Sequence, residues 1–269
     1  MYFWIKKVIK ENILEQLGFR FGRGGVHSSR TLMLAELKEL LSYVDKVDAS
    51  KAEYCEAIQT ENCLGKRSGQ TRALTYRHLV DLYSLEPNFA LFRAFRFFWQ
   101  RDVDGQPLLA ALFAYTRDPI FRVTAPIILE FQMGVSVTRD IIEEFIDHQE
   151  PGRFSSATLR STSQNINSSW TQSGHLLGRT GKIRSRAVAT VGTVSFALFA
   201  GYLTGLRGES LFNGEYTRLL DCSFERIIEL AEDASRRGWV SLKRVGQVVE
   251  VLFPQLITAQ EMELLREQN

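Results

Sequence analysis

Hydrophobic residues recur at three- and four-residue spacing along most of the chain, and this period is typical of amphipathic α-helices. Glycine, proline and capping residues between the periodic stretches mark where helices begin and end. The pattern predicts helices at Trp4–Leu17, Ser28 or Ser29 to Val44, Ser50–Leu64, Ser68–Tyr83, Pro87–Trp99, Gln106–Tyr115, Pro119–Phe131, Ser136–Ile146, Ser223–Arg237 and Thr258–Glu267. Phe154–Trp170, rich in Ser, Thr and Asn, fits either a polar helix or a loop.

The C-terminal part changes from a helical pattern to a strand pattern. Trp239–Val245 and Val248–Phe253 predict two strands that pair around a turn near Gly246. A helix followed by such a hairpin resembles the end of a winged helix. The predicted fold class is therefore mainly α, a multi-helix bundle with a small C-terminal β-hairpin and a winged-helix-like end.

Two unusually apolar stretches have a choice of roles. The aromatic residues after Pro87 cover more than one face of their helix, which favours a place in the core over stacking on nucleic-acid bases. Ala187–Leu206 carries no charge and is the one plausible membrane span, but Thr, Ser and Gly dilute it. A buried helix or helix pair explains it better, so no membrane partner is expected.

Composition places the chain among globular proteins, with 269 residues of which 45% are hydrophobic and 24% charged. Its three cysteines lack the paired spacing of a zinc site, and its four histidines lie too far apart for a ligand motif. We therefore expect no metal and no other cofactor, and a cytoplasmic location with reduced thiols.

Charge is distributed unevenly. Residues 151–207 contain no Asp or Glu, although they carry seven Lys and Arg residues. Because the whole chain has a net charge of only +2, the remainder carries about −5. A positive zone on a mildly acidic protein favours a phosphate-rich partner such as nucleic acid.

Glu150-Pro151-Gly152 is the strongest predicted boundary, because Pro and Gly stop a helix there and the charge balance changes sign. The predicted domains are residues 1–27, an N-terminal helix with a basic Gly-rich arm, residues 28–150, a helical domain, and residues 151–269, a basic helical domain ending in the hairpin.

Candidate phosphate contacts occur at four places in the chain. They are cations in flexible or turn-forming surroundings, or small polar residues at a helix start, where unpaired backbone amides favour anions. A surface of solvated charges is the alternative at each place. The candidates are Arg20 and Arg23 in the Gly-rich arm; Lys66, Arg67, Ser68, Thr71 and Arg72 at a helix start; Arg160, Arg179, Lys182, Arg184 and Arg186 in the acid-free zone; and Lys243 and Arg244 at the hairpin.

The chemistry of known enzymes is not evident in the sequence. Gly178–Arg186 superficially resembles a phosphate-binding loop, but Leu176 and Ile183 stand where that loop requires Gly and Ser or Thr. No nucleophile elbow or metalloprotease motif is present, so no catalytic residue is predicted. A metal-dependent nuclease with diffuse motifs remains an alternative, as does a scaffold whose basic zone binds an acidic partner.

Two segments carry a family resemblance. Glu61–Arg72, with its Asn, Leu, Lys and Thr spacing, resembles the N-terminal motif of the BrxA proteins of BREX phage-defence systems, and Arg236–Val251 is similar to that family's closing helix and hairpin. The resemblance implies a helical, cytoplasmic, non-catalytic protein that binds double-stranded DNA and works with other defence-system proteins. The expected function is thus that of a DNA-binding accessory protein that contacts duplex DNA mainly through phosphates.

Overall fold

The computed structural model describes residues 10–245 and 248–266, which are mainly α-helical and include two short antiparallel β-hairpins. This confirms the predicted fold class and the C-terminal hairpin. The predicted helix start at Trp4 and the turn near Gly246 lie outside the described residues.

The helices follow the predicted order. Residues 10–16 are helical and form α1. The others are α2 (Leu34–Tyr43), α3 (Lys51–Gln59), α4 (Gly69–Tyr83), α5 (Ala90–Arg101), α6 (Gln106–Arg117), α7 (Pro119–Glu130), α8 (Arg139–Gln149), α9 (Ser156–Gln172), α10 (Val191–Leu203), α11 (Glu215–Arg218), α12 (Phe224–Arg236) and α13 (Ala259–Arg266). The strands are β1 (Leu176–Leu177), β2 (Ile183–Arg184), β3 (Ser241–Val245) and β4 (Val248–Leu252), and Val26–Ser28 and Gly208–Leu211 form 3₁₀ turns.

Three predicted helix starts were placed too early. The second predicted helix begins after Met33, which adopts φ 52°, and not at Ser28 or Ser29, because Val26–Ser28 forms a separate 3₁₀ turn. Pro87 lies ahead of α5 and not in its first turn. Thr138 rather than Ser136 caps α8, with its hydroxyl accepting a hydrogen bond from the Ile141 amide.

The chain divides into two compact units, each built from discontinuous segments. The first unit contains residues 1–21, 88–112 and 188–269, and the second contains residues 22–87 and 113–187. The predicted boundary at Glu150-Pro151-Gly152 falls inside the second unit, in the turn between α8 and α9, which pack against each other.

In the first unit, α10 is the central helix, and all of its residues are buried. α5 packs against it, with Phe95 and Phe196 in ring contact, so the aromatic stretch forms core as predicted. Asp102 orients the start of α10, because its Oδ2 accepts a 2.6 Å hydrogen bond from the Gly192 amide. No helix within the described residues is long and apolar enough to cross a membrane.

In the second unit, α9 packs against α8 and against the 3₁₀ turn at Val26–Ser28. Asp118 caps α7 with Oδ1 and accepts the backbone amide of Val26 with Oδ2 at 2.6 Å. The His27 ring stacks on Phe121, its Nδ1 lies 2.9 Å from Asp118 Oδ2, and its Nε2 lies 3.0 Å from Ser169 Oγ. This buried network fixes α9 relative to α7 and the 3₁₀ turn.

Candidate nucleic-acid interface

The segment whose sequence superficially resembles a phosphate-binding loop forms a tight hairpin that we call the basic hairpin, residues 176–184. Leu176 pairs with Arg184 and Leu177 with Ile183, so residues 178–182 form the turn. Gly178 has φ +105°, and a Cβ there would lie 2.0 Å from the Gly181 carbonyl oxygen. The turn therefore depends on glycine at this position.

A preceding segment of chain extends the basic hairpin. The Arg184 amide donates to the Val135 carbonyl at 2.8 Å, and the Val137 amide donates to the Lys182 carbonyl at 2.8 Å. These bonds place the start of α8 beside the basic turn.

Helix α9 presents uncharged polar side chains to the same place. Gln164, Asn167, Ser168 and Thr171 follow at helical spacing on one side of the helix. Gln164, Asn167 and Ser168, with the basic turn and the start of α8, form a depression of about 370 Å³ that we call the polar groove. Its lining residues are Ser136, Val137, Thr138, Arg139, Gln164, Asn167, Ser168, Arg179, Thr180, Gly181 and Lys182. None of these is Asp or Glu.

Lys182 is a partly buried cation in this groove. Its Nζ donates a 2.8 Å hydrogen bond to Thr171 Oγ1. Burial lowers the pKa of Lys182, because the charged form loses hydration. No carboxylate of the described chain lies within ion-pair distance of Lys182 or of the exposed Arg179, whereas Arg139 contacts both Asp140 and Glu143. The groove therefore contains two cations without a counter-ion from the described residues.

Asn167 is the most buried polar side chain in the groove lining, with 3% of its surface exposed. Its Oδ1 is inaccessible to solvent and has no hydrogen-bond partner among the residues that the structure describes. An unsatisfied buried acceptor costs free energy, and this oxygen does not open onto the surface of the groove.

Arg184 was predicted as a phosphate contact, and this is wrong. It is 2% exposed, and its guanidinium donates to the carbonyl oxygens of His175 and Ser185. Its pairing with Leu176 directs it to the inner face of the basic hairpin, where it holds the hairpin's backbone together. Arg186, two residues further along, is exposed.

Arg160 is exposed, but its neighbourhood is acidic. It lines a separate depression of about 380 Å³ with Asp140, Glu143, Glu144 and Asp147 of α8. These carboxylates would repel a phosphate, so Arg160 is a poor phosphate contact in this structure.

The predicted anion site at α4 is partly formed. Ser68 caps the helix and accepts the Thr71 amide at 3.1 Å, as predicted, and Arg67 is exposed beside it. Lys66 is already paired with Glu36, with Nζ and Oε1 3.1 Å apart. Arg72 is half-buried, and its Nε is buried without a hydrogen-bond partner among the described residues.

The remaining predicted contacts lie in two places. Arg23 is exposed in the Gly-rich segment of the second unit, where its carbonyl accepts a hydrogen bond from the Arg153 side chain. In the first unit, Arg20 is half-buried, while Lys243 and Arg244 are exposed on β3. Lys243 is paired across the hairpin with Glu250, with Nζ and Oε2 4.0 Å apart.

Sequence reasoning missed the polar groove as a site, although it noted the polar composition of residues 154–170. Gln164, Asn167 and Ser168 follow at i, i+3 and i+4, and this spacing could have indicated one polar face. Thr138 and Arg139 carry no such signal, because only the tertiary fold brings the start of α8 to this place.

The described residues contain no group of three or more His, Cys, Asp or Glu side chains placed to hold a metal ion. Ser169, His27 and Asp118 lie within hydrogen-bond distance of one another in the order of a hydrolase triad. All three are buried, and Ser169 Oγ also accepts the Leu32 amide and donates to the Asn165 carbonyl. These bonds give the three side chains a packing role.

Comparison with known proteins found no family model that matches the chain and no match among curated proteins.

Proposed function

We propose that this protein is a non-catalytic DNA-binding accessory protein of a bacterial phage-defence system, of the kind the BrxA resemblance implies. It contacts duplex DNA mainly through phosphates, and the polar groove with the basic hairpin is the centre of the contact. The further contacts in the second unit are Arg23, Arg186, and Arg67 with the start of α4. In the first unit they are Lys243 and Arg244.

The observation that supports this proposal most strongly is the composition of the polar groove. Arg179 and Lys182 have no carboxylate partner among the described residues, although Lys182 is partly buried. A desolvated cation without a counter-ion is unfavourable until an anion binds. Hydroxyl and amide groups on α9 can donate to phosphate oxygens without adding repulsive charge.

The defence role rests on the resemblance of Glu61–Arg72 and Arg236–Val251 to the BrxA family. Other proteins of the same defence system are the expected partners on surfaces away from the DNA. Co-purification with the products of neighbouring genes, among them a methyltransferase and a large ATPase, would test this part.

Binding to DNA is tested by fluorescence anisotropy with a labelled duplex of random sequence. Each neutralised phosphate releases counter-ions, so affinity should fall steeply between roughly 50 and 200 mM salt. Affinity that does not change over this range, or the absence of binding at low salt, would contradict the proposal. Plasmid incubated with Mg²⁺ or Mn²⁺ should stay intact, since cleavage abolished by a chelator would favour the nuclease alternative.

A further inference from the structure

Exposed aliphatic side chains collect at the basic hairpin and the segment beside it. Met133, Val135, Leu177 and Ile183 are between 40% and 53% exposed, and we call these four residues the apolar patch. They are four of the ten large hydrophobic side chains that are exposed in the described part of the chain, although they come from only two short segments. Such a concentration is typical of a binding surface, because single exposed hydrophobic residues are otherwise scattered over a protein.

Strand pairing brings the members of the apolar patch together. Leu177 is the register partner of Ile183, so their side chains lie side by side. Both lie on the outer face of the basic hairpin, since strand residues alternate between two faces and the neighbouring Arg184 is buried. Residues 133–135 adjoin this pair, because the Arg184 amide donates a 2.8 Å hydrogen bond to the Val135 carbonyl.

The charge next to the apolar patch is positive. Arg179 and Lys182 lie in the turn that connects Leu177 to Ile183, and neither cation has a carboxylate partner among the described residues. Ser136 joins the patch to the polar groove, because it forms a β-bridge with Ile183 and also lines the groove. A partner that covers both surfaces must therefore present a negative charge and an apolar group close together.

Duplex DNA presents these two groups in its major groove. The 5-methyl group of thymine projects into this groove between the two phosphate backbones. The major groove is about 12 Å wide and admits a two-stranded β-ribbon, whereas the minor groove is only about 6 Å wide. Duplex RNA lacks the methyl group, and its major groove is too narrow for side chains to reach the bases. The surface therefore fits DNA better than RNA.

We infer that the basic hairpin enters the major groove of duplex DNA, where Leu177 and Ile183 contact thymine methyl groups and Arg179 and Lys182 contact the adjacent phosphates. This inference rests on the proposed function and adds a direct contact with the bases to it. Phosphate contacts carry no sequence information, whereas an aliphatic side chain against a thymine methyl group does. The protein should therefore prefer thymine-containing duplexes, with most of its affinity still supplied by phosphates.

The test compares two labelled duplexes of the same length and sequence, one with thymidine and the other with deoxyuridine at every A·T pair. The two duplexes differ only in their 5-methyl groups and carry the same number of phosphates. Each methyl group removed from an apolar contact should lower the affinity of the full chain about three- to fourfold. The salt dependence should be the same for both duplexes, since no phosphate contact changes. Fluorescence anisotropy measures both quantities.

Leu177→Ser with Ile183→Ser removes the aliphatic contacts and keeps every cation. This double variant should bind the thymidine and deoxyuridine duplexes with equal affinity and keep the wild-type salt dependence. Circular dichroism checks its folding, and the comparison of the two duplexes in the wild-type protein does not depend on any variant. Val47→Ser with Val103→Ser changes two exposed aliphatic side chains elsewhere and is the matched control, which should retain the preference for thymidine.

Equal affinity of the wild-type protein for the two duplexes, or a thymidine preference that persists in the Leu177 and Ile183 double variant, would overturn the inference. Either result would assign the apolar patch to a different partner, such as a protein with an acidic surface. Salt-dependent binding of both duplexes with equal affinity would leave the proposed function standing and remove only the major-groove contact. Absence of binding to both duplexes at low salt would contradict the proposed function and the inference together.

Discussion

The basic hairpin of the second unit and the C-terminal hairpin of the first, β3–β4, look alike in sequence, since each carries predicted phosphate contacts, three in the first and two in the second. Their surroundings differ. Lys182 is partly buried against the uncharged Thr171, without a carboxylate partner in the described chain. Lys243 is exposed, and its cross-strand partner is Glu250.

The difference shows that the ability of a cation to bind phosphate depends more on its neighbouring side chains than on its position in a hairpin. An exposed lysine opposite a glutamate is stable without a ligand, because water hydrates its charge and the carboxylate offsets part of it. A partly buried lysine surrounded by hydroxyls and amides is not compensated until an anion arrives. The basic hairpin is therefore the stronger candidate for a phosphate contact, and the following experiments test that ranking.

The largest effect on stability should come from the buried network of Asp118, His27 and Ser169, which holds α9, the helix that packs against the basic hairpin. Asp118→Ala removes the acceptor of the Val26 amide and the partner of His27, which positions Ser169 on α9. Breaking one side of a buried charged network typically costs about 3–5 kcal/mol of unfolding free energy. Urea denaturation followed by circular dichroism measures the loss. Asp104→Ala, at an exposed turn, should change the value by less than about 0.5 kcal/mol.

The pH dependence of stability gives a second measure of the same network. Burial alone would raise the pKa of Asp118, but the His27 charge and the hydrogen bonds from His27 and Phe121 outweigh burial and lower it. A carboxyl whose pKa is lower in the folded state stabilises the fold above its ordinary pKa of 3.8 and loses this contribution as the pH falls through the folded value. Wild type should therefore be destabilised more than Asp118→Ala on acidification below about pH 4. Parallel curves for the two proteins would contradict this.

The turn of the basic hairpin should be the next most sensitive point. Gly178→Ala places a Cβ 2.0 Å from the Gly181 carbonyl on a backbone with φ +105°, so the turn must change its conformation. Strain of this kind costs roughly 1–3 kcal/mol, and the affinity for DNA should fall with it. Gly181→Ala in the same turn is the control for stability, because a Cβ there would meet no atom within 4 Å apart from its chain neighbours. Equal tolerance of both substitutions in thermal unfolding would rule out this account.

The hairpins are compared directly by neutralising two cations in each. Arg179→Gln with Lys182→Gln should lower duplex affinity on the order of tenfold and reduce the salt slope by about two, because two phosphate contacts are lost. Lys243→Gln with Arg244→Gln should have a smaller effect on both quantities. The reverse order would make the C-terminal hairpin the main contact.

The smallest effect should come from the acidic partner of the C-terminal hairpin. Glu250→Gln removes a carboxylate that lies 4.0 Å from Lys243 Nζ. Because a surface pair contributes little, the unfolding free energy should change by less than about 0.5 kcal/mol. The affinity for DNA should rise about twofold at low salt, as Lys243 becomes available to phosphate. A decrease in affinity would show that Glu250 positions Lys243 for binding.

The sequence by itself determined most of the helices, the C-terminal hairpin and several caps. Ser50 and Ser68 begin helices as their spacing predicted, and the aromatic stretch after Pro87 is core. These features depend on period and on contacts a few residues apart, which a single sequence contains. The acid-free zone contains the two unpaired cations of the groove, Arg179 and Lys182, but composition alone did not separate them from Arg184, which is buried, or from Arg160, which lies among carboxylates.

Only the tertiary structure decided which of the predicted cations are accessible to a phosphate and lack a carboxylate partner. Arg184 and Arg186 are two residues apart, yet one lies inside the hairpin and the other is exposed. Arg160 is next to the carboxylates of α8, and Lys182 faces α9, although nothing local in the sequence distinguishes them. Burial and charge pairing depend on residues that are distant along the chain, so the environment of each side chain was fixed only when these segments packed together.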